Sequence, residues 1–303
     1  MKKILLSITI TLLLIFTLSF TFAKTSLKDI PLSNCQEIHQ SGTYYLTTDI
    51  TADPDESVCF DIYANNVIID GKGHTIYGDE YIDSGIETSN NYTTIKNIEI
   101  KYFQECVASY FNANEITIKN STFECYEDGL DLGPGNGFYV YNNTITRGES
   151  ECIYLVSTNN AQVHDNVLKD CWDGIGLSDS NNTVINNNKI SAEYWPIAIN
   201  RGGIGVSIFN NYFKSLYRDG LWISDINRQP ILNITKQLGT NIIGGRYMGG
   251  NYYARYNGRG YSETCFDGNR DGICDRPYSI NGSIDYLPLT KLNPFIPIKT
   301  KSN

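Results

Sequence analysis

Residues 139–206 decide the fold: YVYNNTITRGESECIYLVSTNNA (139–161), QVHDNVLKDCWDGIGLSDSNNT (162–183) and VINNNKISAEYWPIAINRGGIGV (184–206). Written one above another, the three lines share an apolar residue at Val140, Val163 and Ile185 and an Asn or Asp at Asn142, Asp165 and Asn187. A second apolar residue recurs at Ile145, Leu168 and Ile190. Working outward, the first column grows to Ile95, Ile118, Val140, Val163, Ile185 and Ile208. The polar column becomes Asn97, Asn120, Asn142, Asp165, Asn187 and Asn210, and the third becomes Ile100, Phe123, Ile145, Leu168, Ile190 and Phe213. All three advance by 23, 22, 23, 22 and 23 residues. Three columns drifting independently would not stay in step, so the chain is an internal repeat.

A fourth column opens each unit at Phe60, Ile86, Val107, Leu130, Ile153, Ile175, Ile197 and Leu221. Its inward partner follows two residues later, from Ile62 to Ile223. Apolar-x-apolar doublets put both members on one strand face, and no segment sustains a helical period. Each 22–23-residue unit is therefore one coil of about three short strands with turns of Asn, Asp or Gly. Stacking the coils predicts an all-β fold, a single-stranded right-handed parallel β-helix of about eight coils from Cys59 to Asn233. Its asparagines would form ladders, with Asn143, Asn166, Asn188 and Asn211 making a second one. A β-sandwich would not hold this phase.

These repeats, in forms such as Asp173-Gly-Ile-Gly-Leu177 and Asn181-Asn-Thr-Val-Ile-Asn-Asn-Asn188, resemble the NosD-like repeat proteins, also called carbohydrate-binding and sugar-hydrolysis domains. The resemblance covers nearly the whole chain after residue 23 and implies a pectate-lyase-like β-helix capped at both ends. The run Gly42-Thr-Tyr-Tyr-Leu46 resembles the family's N-terminal cap. Gly249-Gly-Asn-Tyr-Tyr253, Pro277-Tyr278 and Asp285-Tyr-Leu-Pro-Leu289 resemble the tail of archaeal secreted members. The expected organisation is a signal peptide at 1–23, an N-terminal cap at 24–57, the β-helix at 58–238, a capping module at 239–290 and a tail at 291–303. The repeat is expected to stop at Lys236, which falls where Phe213's successor should be apolar.

Lys2 and Lys3 followed by an apolar stretch to Ala23 read as a secretory signal or, if retained, an anchor. No later segment is apolar enough to span a membrane. With 24 Lys and Arg against 33 Asp and Glu, the net charge is −9. Loss of the two signal lysines makes it −9 − 2 = −11. No basic stripe is present, so nucleic acid is excluded as a partner, and repulsion disfavours polyanions unless a cation bridges them. Eight cysteines behind a signal favour disulfides over free thiols. Cys106 and Cys125 are 19 apart, as are Cys152 and Cys171, nearly one coil round. Cys35–Cys59 would tie cap to coil, and Cys265–Cys274 would bracket an acidic loop.

That loop, Asp267-Gly-Asn-Arg-Asp-Gly-Ile-Cys-Asp275, places oxygen ligands for Ca²⁺ at Asp267, Asn269, Asp271, the Ile273 carbonyl and Asp275, with Gly272 at the sharp turn. Tyr278 stands where an EF-hand has its bidentate Glu, and the competing reading is an acidic turn without metal. A second candidate is a stripe of acids and rings at the coil openings: Glu105, Asp128, Glu151, Asp173 and Asp219, with Asp131, Trp172, Trp195 and Trp222. Rings stack on sugar faces and carboxylates take hydroxyls. Asp before Gly is also ordinary turn chemistry.

The Asn-Thr-Asp and paired-Asp motifs of polygalacturonases, the Asp-Pro-His-Asp motif of alginate epimerases and the arginine motif of pectate lyases are absent from the sequence. The copper role that the NosD resemblance implies finds one Met after the signal (Met248) and three dispersed His. The sequence thus favours a secreted or cell-surface, non-catalytic scaffold binding a polysaccharide or cell-surface glycan, with Ca²⁺ in its cap. The alternatives are a polysaccharide lyase, glycoside hydrolase or epimerase using the carboxylate stripe, and a surface component glycosylated at sequons such as Asn91-Tyr-Thr. An enzyme should gather two or three acids in one cleft, and a scaffold should show a flat ladder.

Overall fold

The computed structural model describes residues 28–217, 220–225 and 227–291. The expected signal peptide, Asp219 and most of the 291–303 tail lie outside the described residues. The rest is a parallel β-helix. One nine-stranded parallel sheet runs from Asp29–Leu32 through Tyr139–Tyr141 to Ser207–Phe209. A larger sheet carries the other two faces, joined where Thr144–Val156 and Val167–Ser180 run unbroken round the corner.

Register follows burial, because slipping one residue would turn every inward side chain to solvent. Ile95, Ile118, Val140, Val163, Ile185 and Ile208 pair in succession and are fully buried. The coil-opening column pairs from Phe60 to Leu221. Two polar columns divide the turn between them. Asn97, Asn120, Asn142, Asp165, Asn187 and Asn210 all take φ between 53° and 57°, the left-handed conformation that Asn and Asp tolerate best. The stacking ladder is the next column, buried throughout: Asn143, Asn166, Asn188 and Asn211 each accept, at Oδ1, the main-chain N–H of the ladder residue one coil earlier.

Both ends depart from the sequence expectation. The stretch expected as an N-terminal cap is already in the parallel register: Asp29–Leu32 pairs Gly42–Leu46, and Gln36–Ile38 pairs Val58–Ile62. At the other end the stack does not stop at Lys236. Asn251 supplies the next ladder rung, accepting the Asn211 N–H at 3.1 Å, and Tyr253 pairs with Phe213 in its column. The Gly-Gly-Asn-Tyr-Tyr motif is thus the final rung. Its approach is close at Gly250, where an added Cβ would lie 1.9 Å from an Asp285 oxygen. Ile231 bridges Ser207, so Leu232 takes the inward place below Ile208, and Ile231 is exposed.

The last coil's end is covered by a hairpin, Tyr278–Ile280 with Ser283–Asp285. Asp285 is fully buried and accepts from the Asn251 N–H, the Leu287 N–H and the Tyr253 hydroxyl. Burial pushes its carboxyl up to about 6 despite those donors. All eight cysteines are bonded, as Cys35–Cys59, Cys106–Cys125, Cys152–Cys171 and Cys265–Cys274. The two pairs 19 residues apart each close a single coil.

Candidate functional site: an acid and aromatic face on the coil-opening strands

On the outward side of the coil-opening strands, successive rungs present Asp61, Glu87, Ala108, Asp131, Tyr154, Gly176, Ala198 and Trp222. The alternation that buries Ile153, Ile175 and Ile197 necessarily turns these residues out. Carboxylates therefore occupy one half of the face and aromatic rings the other. Between Tyr154 and Trp222 lie the two smallest side chains, a floor between two walls. Gly176 is required there, since a Cβ would come within 2.9 Å of the Glu151 side chain and the Tyr154 ring.

The result is a groove with a cavity of about 240 Å³, bounded by Glu151, Tyr154, Trp172, Asp173, Trp195 and Trp222. Trp172 stacks on Tyr194 with centroids 5.2 Å apart, and Tyr194 meets Trp195 edge-on at 5.4 Å. Trp172 remains half exposed. The ring faces are pre-positioned by each other, which is what sugar stacking needs. The Asp173 carboxylate accepts the Trp195 N–H at 2.8 Å and so fixes the turn that carries that ring. Burial, with Glu151 nearby, pushes Asp173 up to about 6.

Beyond the groove Glu105, Asp128 and Asp131 converge, each offering an oxygen within 4.8 Å of the others. Asp128 accepts the Glu151 N–H at 2.7 Å, the same turn bond that Asp173 makes two coils later. Its second role is electrostatic. Burial first, then the charges of Glu151, Asp131 and Glu105, push it up to about 8. Glu105 is pushed up to about 7, mainly by burial, although the Tyr110 hydroxyl donates to it. Asp131 rises to about 6 by burial and the Glu151 charge, and its Oδ1 is buried without a partner. The cluster holds protons at neutral pH that isolated carboxyls lose.

Of the sequence candidates, Glu151, Trp172, Asp173, Trp195 and Trp222 meet at the groove, while Glu105, Asp128 and Asp131 form the cluster beside it. The groove floor of Gly176 and Ala198 was not legible as a site. Small residues carry no chemical signal, and only the rung-by-rung register reveals the gap they leave.

The Asp267–Asp275 loop folds around its own amides. Asp267 accepts from the Asp271 and Gly272 N–H groups, Asn269 from Asp271, and Asp271 from Ile273, each at 2.8–3.2 Å. Asp275 accepts from Gly268 at 3.1 Å, and Gly272 takes φ +85°. Lys236 donates to the second Asp271 oxygen. Among the described residues, the loop's carboxylates do not gather as the Glu105 cluster does. A copper centre fits less well still. Every cysteine is oxidised, and His39, His74 and His164 pair separately with Glu37, Asp49 and Asp165. Soft donors are not collected anywhere among the described residues.

Several solved structures are similar to this chain. DFA-IIIase from Arthrobacter chlorophenolicus A6, in complex with DFA-III, is 13% identical over 63% of this chain and 58% of that one, with a TM-score of 0.50. The Dettilon tailspike protein is 13% identical over 76% and 56% of the two chains (TM-score 0.47), and pectate lyase Pel9A is 11% identical over 65% and 66% (TM-score 0.44). The chain thus spans little more than half the length of the first of these, and at such identities the likeness is one of fold. No curated protein sequence matches. The family model described as periplasmic copper-binding protein (NosD) matches residues 59–258, 200 of the 303 residues and nearly the whole stack. By that match and by its coils, the chain belongs to the NosD family of parallel β-helix proteins.

Proposed function

We propose that the protein is an extracytoplasmic glycan-binding β-helix, non-catalytic, that seats a sugar chain in the groove between Tyr154 and Trp222. The observation that carries this reading is the convergence of Trp172, Trp195 and Trp222 with Glu151 and Asp173 around one cavity. Rings facing a shallow open groove stack on pyranose faces, and the two carboxylates accept hydroxyls at its edge. Four disulfides agree with an oxidising compartment. Among the described residues no helix is long and apolar enough to cross a membrane. Tryptophan fluorescence read across a glycan array should show quenching or a blue shift with at least one polysaccharide. Trp172→Ala should weaken that binding by on the order of tenfold or more, the loss of one stacking ring. An array without any response sinks the reading.

A second reading is favoured by the Glu105–Asp128–Asp131 convergence: a polysaccharide lyase, hydrolase or epimerase in which a carboxyl that is still protonated near neutrality donates a proton beside an ionised neighbour. New reducing ends or unsaturated sugars released from a bound glycan would replace the non-catalytic reading with this one.

For the C-terminal loop we propose Ca²⁺ at Asp267, Asn269, Asp271, the Ile273 carbonyl and Asp275, supported by the all-oxygen donor set and the bonds that hold it around Gly272. Lys236 neutralises part of that site and competes with the ion. Saturating chelator should therefore lower the melting temperature, and Lys236→Met should tighten Ca²⁺ binding. A melt indifferent to chelator and to added Ca²⁺ leaves the loop as an acidic turn.

A further inference from the structure

The outward face of a different strand column carries the opposite chemistry. Val167–Ser180, Lys189–Ala192 and Tyr212–Ser215 are adjacent strands. Over them lies a cavity of about 700 Å³ lined by Lys169, Lys189, Tyr212, Ile242, Ile243 and Lys291, among others. Ile242 and Ile243 come from the excursion between the last two rungs, and that wall is held down: the Ile242 N–H donates to Asn210, and the Ile243 N–H to Asn241. The Tyr212 ring stacks on Tyr252 at 5.2 Å and 11°, and Lys291 reaches over the Tyr252 ring at 5.9 Å.

The charge balance here is unusual for this chain. Acids outnumber bases 33 to 24, yet this cavity is lined by three lysines and by no acid. Lys169, Lys189 and Lys291, the three that line this cavity, form no ion pair among the described residues. Three ammonium groups around one cavity repel each other, and an excess of acids elsewhere has not been used to relieve them. That arrangement fits a site whose counter-charge arrives with a ligand.

We propose that this cavity is a second binding site, separate from the aromatic groove, for a short oligosaccharide bearing carboxylates, that is, one built of uronic acid residues. Lys189 pairs with Val167 and Lys169 with Ser191, so the two lysines stand diagonally on neighbouring strands, roughly 7–8 Å apart, and meet separate anionic groups along a chain rather than one compact ion. Tyr212 with Ile242 and Ile243 offers an apolar surface to the C–H face of a sugar ring. Lysines act as point charges, and no arginine fork lines the cavity for bidentate capture of a single anion; the apolar surface of Tyr212, Ile242 and Ile243 is what favours a sugar ring. The net negative charge of the protein restricts the ligand to a length that stays within the patch.

The test is calorimetric titration of the full chain with trigalacturonate, with maltotriose as a neutral ligand of the same size and a short oligothymidylate as the competing polyanion. Trigalacturonate should bind, weaken as salt rises, and lose on the order of tenfold in affinity for each of Lys169→Gln, Lys189→Gln and Lys291→Gln. These side chains are exposed, so the variants fold. Trp172→Ala should leave the binding unchanged, which separates this site from the groove. The proposal is overturned by no binding, by binding indifferent to the three lysines, by maltotriose binding that persists in Trp172→Ala and weakens in the lysine variants, by oligothymidylate binding more tightly, or by loss of uronate binding in Trp172→Ala.

Discussion

Asn166→Ala should destabilise the protein by about 3–5 kcal/mol. The Asn166 Oδ1 accepts both the main-chain N–H and the Nδ2 of Asn143. Its own Nδ2 faces the carbonyls of Val140 and His164 and the Oδ1 of Asn188, all at about 3 Å. Truncation strands these groups where Asn143, Asn166 and Asn188 are all buried. A buried group left without a partner costs roughly 1–3 kcal/mol, and local relaxation returns part of the sum. Asn142 provides the contrast. It is exposed at φ +55°, so Asn142→Ala should cost only the left-handed penalty of roughly 1–2 kcal/mol. Urea unfolding of the two variants side by side makes the comparison. Equal losses would mean that the ladder's amides are not what holds the coils together.

Asp128→Asn should stabilise the protein at pH 8.5 by on the order of 2 kcal/mol more than it does below pH 4. The folded-state value of Asp128 stands at about 8 against 3.8 for a free carboxyl, raised chiefly by burial and then by Glu151. For a group raised on folding, the favourable contribution is complete below the unfolded value and is lost as pH climbs through the folded one. Glu105, at about 7, and Asp131, at about 6, act in the same direction. The melting temperature of the unmodified protein should therefore fall between about pH 4 and pH 9. Asparagine keeps the acceptor that the Glu151 N–H uses and removes the charge, and the remaining acids then ionise more easily, which is why the gain is smaller than the full displacement implies. Melting temperatures of both forms across that range decide the matter: a pH-independent difference would show that the cluster is not charged on ascending pH.

The repeat was legible because burial is a local rule applied many times. A 22–23-residue period fixes which side chains face inward, and Val140, Val163 and Ile185 fall into register with no information beyond their spacing. The same period puts Cys106 and Cys125 at opposite ends of one coil, where they bond. The reading failed where the coil length changed. From Asn211 the chain travels 40 residues, not 22 or 23, before Asn251 resumes the ladder. A column read at constant spacing then takes Lys236 for the end.

The acidic stripe marks the same boundary between what the chain says and what the fold adds. Glu105, Asp128 and Glu151 are visible in the sequence as residues that open coils, and the turn bonds of Asp128 and Asp173 follow from that position. Whether they stand apart or crowd together depends on the curvature of the corner and on how deeply each coil sits. The sequence by itself determined the coil, its inward columns and the identity of the rings and acids on the face, because each coil repeats the same short-range alternation. Only the tertiary structure decided that Glu105, Asp128 and Asp131 share one small volume and that Gly176 and Ala198 leave a groove before Trp222. It alone brought Lys291 beside Lys169 and Lys189, because such contacts are set by the summed rise and turn of many coils, which no local pattern of residues encodes.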